Sequence, residues 1–83
     1  MKEIILIGAD YCPSCKIMHE WFFTIEIPGI TFRYKYTDDP DCENVSSLPT
    51  IIFKDNGQEV QRITGAISKA DLIRNINSIF GGE

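Results

Sequence analysis

The chain has 83 residues, a length that supports one hydrophobic core, so we expect a single domain spanning residues 1–83. Its 43% hydrophobic and 24% charged residues are close to globular averages, which excludes a disordered tail or a coiled coil. The net charge of -4 has the wrong sign for binding a polyanion, so we expect neither nucleic acid nor a membrane surface as a partner.

Two features of the sequence predict a cytoplasmic protein. Residues 1–3 are followed by only four apolar residues, Ile4 to Ile7. A signal peptide has a longer apolar run, and a membrane-spanning helix needs about 20 residues. The three cysteines are an odd number, which does not suggest the disulfide framework of a secreted protein.

The first half of the chain predicts a strand, a helix and a second strand. Residues 3–8 form a short apolar run that contains β-branched residues and shows no polar alternation, which is typical of a central strand covered on both faces. Apolar side chains recur every three or four residues from Pro13 to about Ile25, which predicts a helix with Pro13 in its first turn. Residues 30–37 alternate between apolar and polar, as in a strand with one better-buried face.

The second half predicts a loop, a hairpin and a last helix. Residues 50–54 and 58–64 flank Asp55-Asn56-Gly57, which is the strongest short hairpin signal. Ser68 begins an approximate capping box before an apolar helical stripe that ends at Phe80, and the tail after it is expected to fray. The segment before the hairpin is expected to be a short loop or single helical turn, and its solvated part contains four acidic residues: Asp38, Asp39, Asp41 and Glu43.

The order of elements is therefore β-α-β followed by β-β-α. A strand, helix and strand in succession form a right-handed parallel crossover, and the hairpin extends the same sheet antiparallel. We expect an α/β fold in which a four-stranded mixed sheet has helices packed on its faces.

Two cysteines lie where the first strand meets the first helix, in the segment Cys12-Pro13-Ser14-Cys15. Two thiols at this spacing across a helix N-terminus can close a disulfide, and the helix dipole and free N–H groups favour the thiolate of the first. We therefore expect Cys12 to attack a disulfide, and Cys15, one turn further on, to resolve the resulting mixed disulfide.

The same spacing also occurs in metal sites, and this alternative stays open. A zinc or iron–sulfur module would use Cys12 and Cys15 with His19 or Cys42 as further ligands. The strand before the motif and the helix after it favour the redox role, because this arrangement is typical of thioredoxin-like motifs.

Several residues near the motif have both a functional and a simpler interpretation. His19 lies four residues after Cys15 and could shuttle a proton, but a position on the helix surface is the simpler interpretation. Cys42 has an acidic residue on each side, which disfavours its thiolate and favours an inert thiol over a regulatory one. Tyr11 lies beside Cys12 and is expected to be exposed and to cover the backbone of a partner protein. The charged residues Asp10 and Lys16 lie on either side of the motif.

Three stretches of the chain resemble the thioredoxin superfamily, and the likeness covers nearly all 83 residues. Residues 9–16 resemble its active-site segment, residues 45–50 its cis-proline loop, and residues 65–69 its approach to the last helix. The resemblance implies a small thiol–disulfide oxidoreductase with no cofactor beyond the redox-active disulfide. It also implies a monomer that acts on disulfide-containing proteins and receives electrons from a reductase such as thioredoxin reductase.

The resemblance further implies a substrate-binding surface around the cysteines. Pro49 is expected to have a cis peptide bond and to pack beside the cysteines, which leaves the backbone of Leu48 free to bind an extended substrate segment. A proline at this position also suits the beginning of a strand, because it has no N–H for the ladder. The residues expected to bind substrate are Tyr11, Pro13, Leu48, Pro49 and Gly65.

The sequence departs from thioredoxins in ways that bear on mechanism. Tyr11 and Pro13-Ser14 stand where thioredoxins usually have Trp and Gly-Pro, and a proline after the first cysteine is typical of glutaredoxins. Leu6 stands where thioredoxins carry a buried acid that assists proton transfer to the resolving cysteine. Residues 64–68 lack the glutaredoxin pattern for binding glutathione, so dependence on glutathione is not expected.

Overall fold

The computed structural model describes residues 1–40, 42 and 44–81. Asp41, Glu43 and the last two residues of the expected tail lie outside these ranges. The helices and strands follow the expected order: β1 (Lys2–Gly8), α1 (Pro13–Phe22), β2 (Ile30–Tyr36), β3 (Thr50–Asp55), β4 (Gln58–Thr64) and α2 (Lys69–Ile79). Among the described residues, no helix is long and apolar enough to cross a membrane.

Helix α1 is shorter than its apolar pattern predicts. It ends at Phe22, with Phe23 as its C-cap, instead of near Ile25. The side-chain hydroxyl of Thr24 donates to the carbonyl of Trp21 and so satisfies one of the last helical carbonyl groups. Ile25 is nevertheless buried, so the apolar pattern correctly predicts a core position but not a helical one.

The four strands form one mixed sheet in the order β2-β1-β3-β4, which confirms the expected architecture. β1 pairs in parallel with β2 and antiparallel with β3. The β3–β4 hairpin turns at Asn56 and Gly57, whose φ angles are 53° and 84°. Glycine and asparagine tolerate this left-handed region better than other residues, which is why the Asn-Gly pair predicts the turn.

Both helices lie over the same face of the sheet, so the helical layer is one-sided. Alternate residues of the two central strands, Ile4, Leu6, Ile51 and Phe53, form the core with residues of both helices. The helices contribute Met18 and Phe22 from α1, and Leu72 and Ile76 from α2. Burying one such side chain fully stabilises the fold by about 1.5–3 kcal/mol, so this layer is the main source of stability.

The opposite face of the sheet is covered by the segment between β2 and β3. Ile5, Ile7 and Ile52 form a second, smaller core cluster there, against which Cys42, Val45 and Leu48 pack. The guanidinium of Arg62 on β4 donates to the carbonyl of Asn44 at 2.7 Å, which holds this segment on the sheet. Residues 44–48 of this segment therefore lie against the sheet, and Leu48 lies next to the cysteines.

Candidate functional site

The Cys12-Pro13-Ser14-Cys15 segment lies at the carboxyl end of β1 and begins helix α1. Cys12 is the N-cap of the helix, and its Sγ accepts a hydrogen bond of 3.2 Å from the N–H of Cys15. Pro13 occupies the first turn of the helix, where no N–H is needed. The sulfur of Cys12 therefore lies at the positive end of the helix, among N–H groups that favour a negative charge.

Cys12 and Cys15 are joined by a disulfide, with their Cα atoms 5.2 Å apart. Cys12 is 9% exposed, whereas Cys15 is fully buried. The hydroxyl of Ser14 lies 3.5 Å from the Cys12 sulfur and donates to it, since a disulfide sulfur carries no hydrogen. Of the two cysteines, only Cys12 has any exposed surface.

Gly8, the last residue of β1, allows Cys15 to lie against the strand. A Cβ atom at Gly8 would lie 2.8 Å from the Cβ and 3.1 Å from the Sγ of Cys15. It would also collide with the hydroxyl oxygen of Tyr34, which reaches the same point from β2. The absence of a side chain at Gly8 therefore makes room for both the buried sulfur and the phenol.

Tyr34 also belongs to this site, although the sequence does not predict it. Its only sequence signal is its place in the alternating pattern of a strand. Its ring packs against that of His19 in a tilted arrangement, with 4.3 Å between centroids, and meets that of Tyr36 edge to face at 5.1 Å. Burial raises the pKa of the Tyr34 phenol above its ordinary value of 10.0, and the nearby Tyr36 and Asp10 add to this effect.

The segment before β3 lies beside the cysteines. Leu48 packs against the buried cluster that Ala9, Cys12 and Cys15 form. The next peptide bond, Leu48–Pro49, is cis. The carbonyl of Pro49 accepts a hydrogen bond of 2.8 Å from the N–H of Gly65, which ties the end of β4 to this loop.

An open cleft of about 590 Å³ adjoins Cys12. Its lining residues are Tyr11, Cys12, Thr37, Val45, Ser46, Ser47 and Leu48. Tyr11 is 80% exposed at its edge, in agreement with the expected exposure. Of the expected substrate-binding residues, Tyr11 and Leu48 line the cleft, whereas Pro13, Pro49 and Gly65 do not.

Residues 45–47 belong to the segment that resembles the cis-proline loop, but neither they nor Thr37 are predicted from the sequence to line the cleft. They lie in or at the start of the segment between β2 and β3, which has no periodicity from which its path could be read. The lining therefore includes three hydroxyl-bearing residues, Thr37, Ser46 and Ser47, and the apolar residue Val45.

His19 and Cys42, the two further ligands considered for a metal site, are on opposite sides of the sheet. His19 is on α1 and contacts Phe23 and Tyr34, whereas Cys42 packs against the Ile5 cluster on the other face. Within residues 1–40, 42 and 44–81, no three His, Cys, Asp or Glu residues are grouped so that they could hold a metal ion. The arrangement of the two cysteines is that of a disulfide pair.

Proteins of known family are similar to this chain over most of its length. A thioredoxin of Mycoplasma pneumoniae is 30% identical over 82 residues, which cover 92% of this chain and 80% of the relative. This chain belongs to the thioredoxin family. A thioredoxin of Chlamydia caviae is 32% identical over 75 residues, covering 83% of the chain and 74% of the relative. No protein-family model matches the chain.

Solved structures of thioredoxins have the same fold. A mutant thioredoxin from Halobacterium salinarum NRC-1 superposes with a TM-score of 0.81 at 20% identity, covering 93% of this chain and 73% of the other. Thioredoxin f2 of Chlamydomonas reinhardtii gives a TM-score of 0.80 at 21% identity, covering 93% and 77%. Together with the disulfide pair, membership of the thioredoxin family identifies the protein as a thiol–disulfide oxidoreductase.

Proposed function

We propose that the protein reduces disulfide bonds in other proteins, with Cys12 as the attacking residue and Cys15 as the resolving one. The observation that carries these roles is the difference in accessibility between the two cysteines. Cys12 lines the cleft and is partly exposed, whereas Cys15 is fully buried and does not line the cleft. A substrate sulfur in the cleft can therefore reach Cys12 but not Cys15.

In the first step, the Cys12 thiolate attacks one sulfur of the substrate disulfide. A bond forms between Cys12 and that sulfur, the substrate disulfide breaks, and the other substrate sulfur leaves as a thiolate. The Cys15 thiolate then attacks the Cys12 sulfur, so the Cys12–Cys15 disulfide forms and the second substrate sulfur is released. The substrate gains two electrons and takes up two protons, and the protein dithiol loses both.

The helix N-terminus supports the first role. Cys12 is the N-cap, so its sulfur already accepts the N–H of Cys15, and the same N–H can stabilise a thiolate there. The Ser14 hydroxyl adds a second donor 3.5 Å away. Both contacts stabilise a negative charge on the Cys12 sulfur and so favour its nucleophilic form.

The chemistry of the cleft favours a protein segment over glutathione as substrate. Among the residues that the structure describes, none of those lining the cleft carries a formal charge, whereas glutathione has two carboxylates and an ammonium group that bind best to charged partners. Within the described part of the chain, no hydrogen bond uses the N–H or carbonyl of Leu48. These groups can pair with an extended substrate backbone, as in recognition by strand addition.

The partners and setting follow from the same proposal. A reductase of the thioredoxin reductase type would return electrons to the Cys12–Cys15 disulfide, which is the redox centre and needs no further cofactor. We propose a single-domain monomer in the cytoplasm, where reductants keep other thiols reduced and disulfides are mainly catalytic. Nucleic acid and membranes are not among its proposed partners.

The test is a comparison of electron sources in an insulin-reduction assay. One set of reactions contains NADPH with thioredoxin reductase, and the other contains NADPH, glutathione and glutathione reductase. We expect rapid insulin reduction with the first system and little above the Cys12→Ser blank with the second. Faster reduction with glutathione than with thioredoxin reductase would contradict the proposed electron source.

The Tyr11→Ala variant tests substrate binding in the cleft. Truncating an interfacial anchor costs about 1 kcal/mol or more, so we expect the KM for insulin to rise about fivefold. The rate with a small aromatic disulfide such as 5,5′-dithiobis(2-nitrobenzoate), abbreviated DTNB, should stay unchanged, because it needs no extended contact. Val60→Ala is the matched control: Val60 is also an exposed apolar residue, on β4. An equal change in KM in both variants would contradict a specific role for Tyr11.

A further inference from the structure

We propose that the hydroxyl of Tyr34 donates a hydrogen bond to the sulfur of Cys15 whenever that sulfur is a thiolate. Tyr34 would then be a further catalytic residue of the exchange reaction. The inference rests on the proposed resolving role of Cys15. In this role Tyr34, which lies 19 positions after Cys15 in the chain, stabilises Cys15 as the second nucleophile.

The geometry at Gly8 places the two groups together. Ile4, Leu6 and Gly8 share one face of β1, and the first two belong to the core under the helices. Tyr34 packs against the same core and pairs with Leu6 in the β1–β2 ladder. From there its hydroxyl reaches the space above Gly8, which the Cβ and Sγ of Cys15 border from the helix side.

Cys15 needs such a donor because its surroundings are apolar. It is fully buried, and it clusters with Ala9, Cys12 and Leu48. An ion in such an environment is costly unless a polar group is hydrogen-bonded to it. Leu6 on β1 is also fully buried, and its side chain has no polar atom that could donate a hydrogen bond to Cys15.

The Tyr34 hydroxyl is available for this role. Among the described residues, no hydrogen bond uses it while Cys15 is in the disulfide. A disulfide sulfur is a weak acceptor, and the same atom becomes a strong one when it carries a negative charge. Reduction would therefore create the bond, and oxidation would remove it.

The protonation state of Tyr34 suits a donor. Burial, Tyr36 and Asp10 all raise its pKa, so the phenol keeps its proton throughout the neutral range. The His19 ring faces it from α1, and the exposed charge of Lys16 follows Cys15 on the same helix. Tyr34 consequently acts as a neutral donor and not as a base.

Tyr34 assists the step in which Cys15 resolves the mixed disulfide. The Cys15 thiol gives its proton to solvent, and the Tyr34 hydroxyl donates to the resulting thiolate without losing its own proton. The thiolate attacks the Cys12 sulfur of the mixed disulfide, the Cys12–Cys15 bond forms, and the substrate thiolate leaves and takes a proton from solvent. When a reductant opens the disulfide, Cys15 leaves as a thiolate and receives the same hydrogen bond.

The test separates the two steps with a small disulfide. Fully reduced protein is mixed in excess with DTNB in a stopped-flow instrument, and release of the coloured thiolate is followed. The first phase reports attack by Cys12, and the second reports resolution by Cys15. Every variant also carries Cys42→Ala, so that only the two active-site thiols react.

We expect Tyr34→Phe to slow the second phase about tenfold at pH 7, which corresponds to about 1.4 kcal/mol, and to leave the first phase unchanged. The midpoint of the pH–rate profile of the second phase should move upward by about one pH unit. Tyr36→Phe is the matched control, because Tyr36 lies on the same strand and its hydroxyl is not at Gly8. It should behave like the parent protein in both phases.

Two results would overturn the inference. One is a second phase in Tyr34→Phe with the rate and pH profile of the parent. The other is an equal slowing of both phases, which would indicate a change in packing instead of a lost hydrogen bond. Cys15→Ser in the same assay tests the proposed resolving role separately: if it kept a second phase, that role would fail whatever the result for Tyr34.

Discussion

Cys15→Ser should leave the protein covalently attached to its substrates through Cys12. Serine fills the same buried position, but its hydroxyl does not attack a disulfide at neutral pH, so the mixed disulfide is not resolved. We expect insulin turnover to fall by at least roughly 100-fold, since the second of two nucleophilic steps is lost. Complexes should appear on non-reducing gels of the affinity-purified variant and disappear when dithiothreitol is added.

Two matched variants control this experiment. Cys12→Ser should neither turn over nor trap, because the remaining sulfur of Cys15 is fully buried and substrate cannot reach it. Cys42→Ser should turn over like the parent, because Cys42 lies against the other face of the sheet. Equal amounts of trapped complex with Cys12→Ser and Cys15→Ser would contradict the assignment of the two roles.

The parts of the structure that the sequence predicts well are those with local signals. The unbroken apolar run of β1 predicts a central strand, since both its faces are covered. Asn56-Gly57 predicts the hairpin because few other residues adopt the φ angles of its turn. The cysteine pair is predictable because its signals are also local. The spacing of the two cysteines and the strand and helix on either side of them can be recognised within a few neighbouring residues.

The parts that could not be predicted depend on contacts between distant residues. The segment that covers Ile5 and Ile7 has no periodicity, and its position depends on Arg62, 18 residues beyond the Asn44 carbonyl that it binds. The alternating pattern of β2 likewise predicts on which face of the strand Tyr34 lies, but it does not predict which residue Tyr34 contacts. Its position at Cys15 depends on the parallel pairing of β2 with β1 and on the missing side chain of Gly8.

The one-sided helical layer connects this fold to its site. Because both helices pack on the face that Ile4, Leu6 and Gly8 share, the N-terminus of α1 lies directly over the end of β1. The other face is left to a loop, and that loop forms most of the cleft lining beside Cys12. The helices on one face of the sheet thus bury the sulfur of Cys15, and the loop on the other face forms the cleft beside Cys12.

Gly8→Ala should displace Cys15 and impair resolution. The added Cβ would lie 2.8 Å from the Cβ of Cys15, an atom close to the helix backbone that cannot swing aside. Overpacking of this kind costs about 1–3 kcal/mol, whereas alanine in an unstrained strand position would stabilise by about 0.4–1 kcal/mol. We expect a lower Tm, by about 4–8 °C for each kcal/mol lost, and at least a tenfold slower second phase with DTNB.

Gly57→Ala is the control that separates the clash from a general loss of stability. Gly57 has a φ of 84° and open space around its Cβ position, so alanine there strains the backbone by about 1–2 kcal/mol without touching the site. Both variants should therefore have a lower Tm than the parent protein. Only Gly8→Ala should slow closure of the disulfide, because only its added methyl group meets Cys15 and the Tyr34 hydroxyl. If Gly8→Ala closed its disulfide at the parent rate, the sulfur of Cys15 would not depend on the contact with β1.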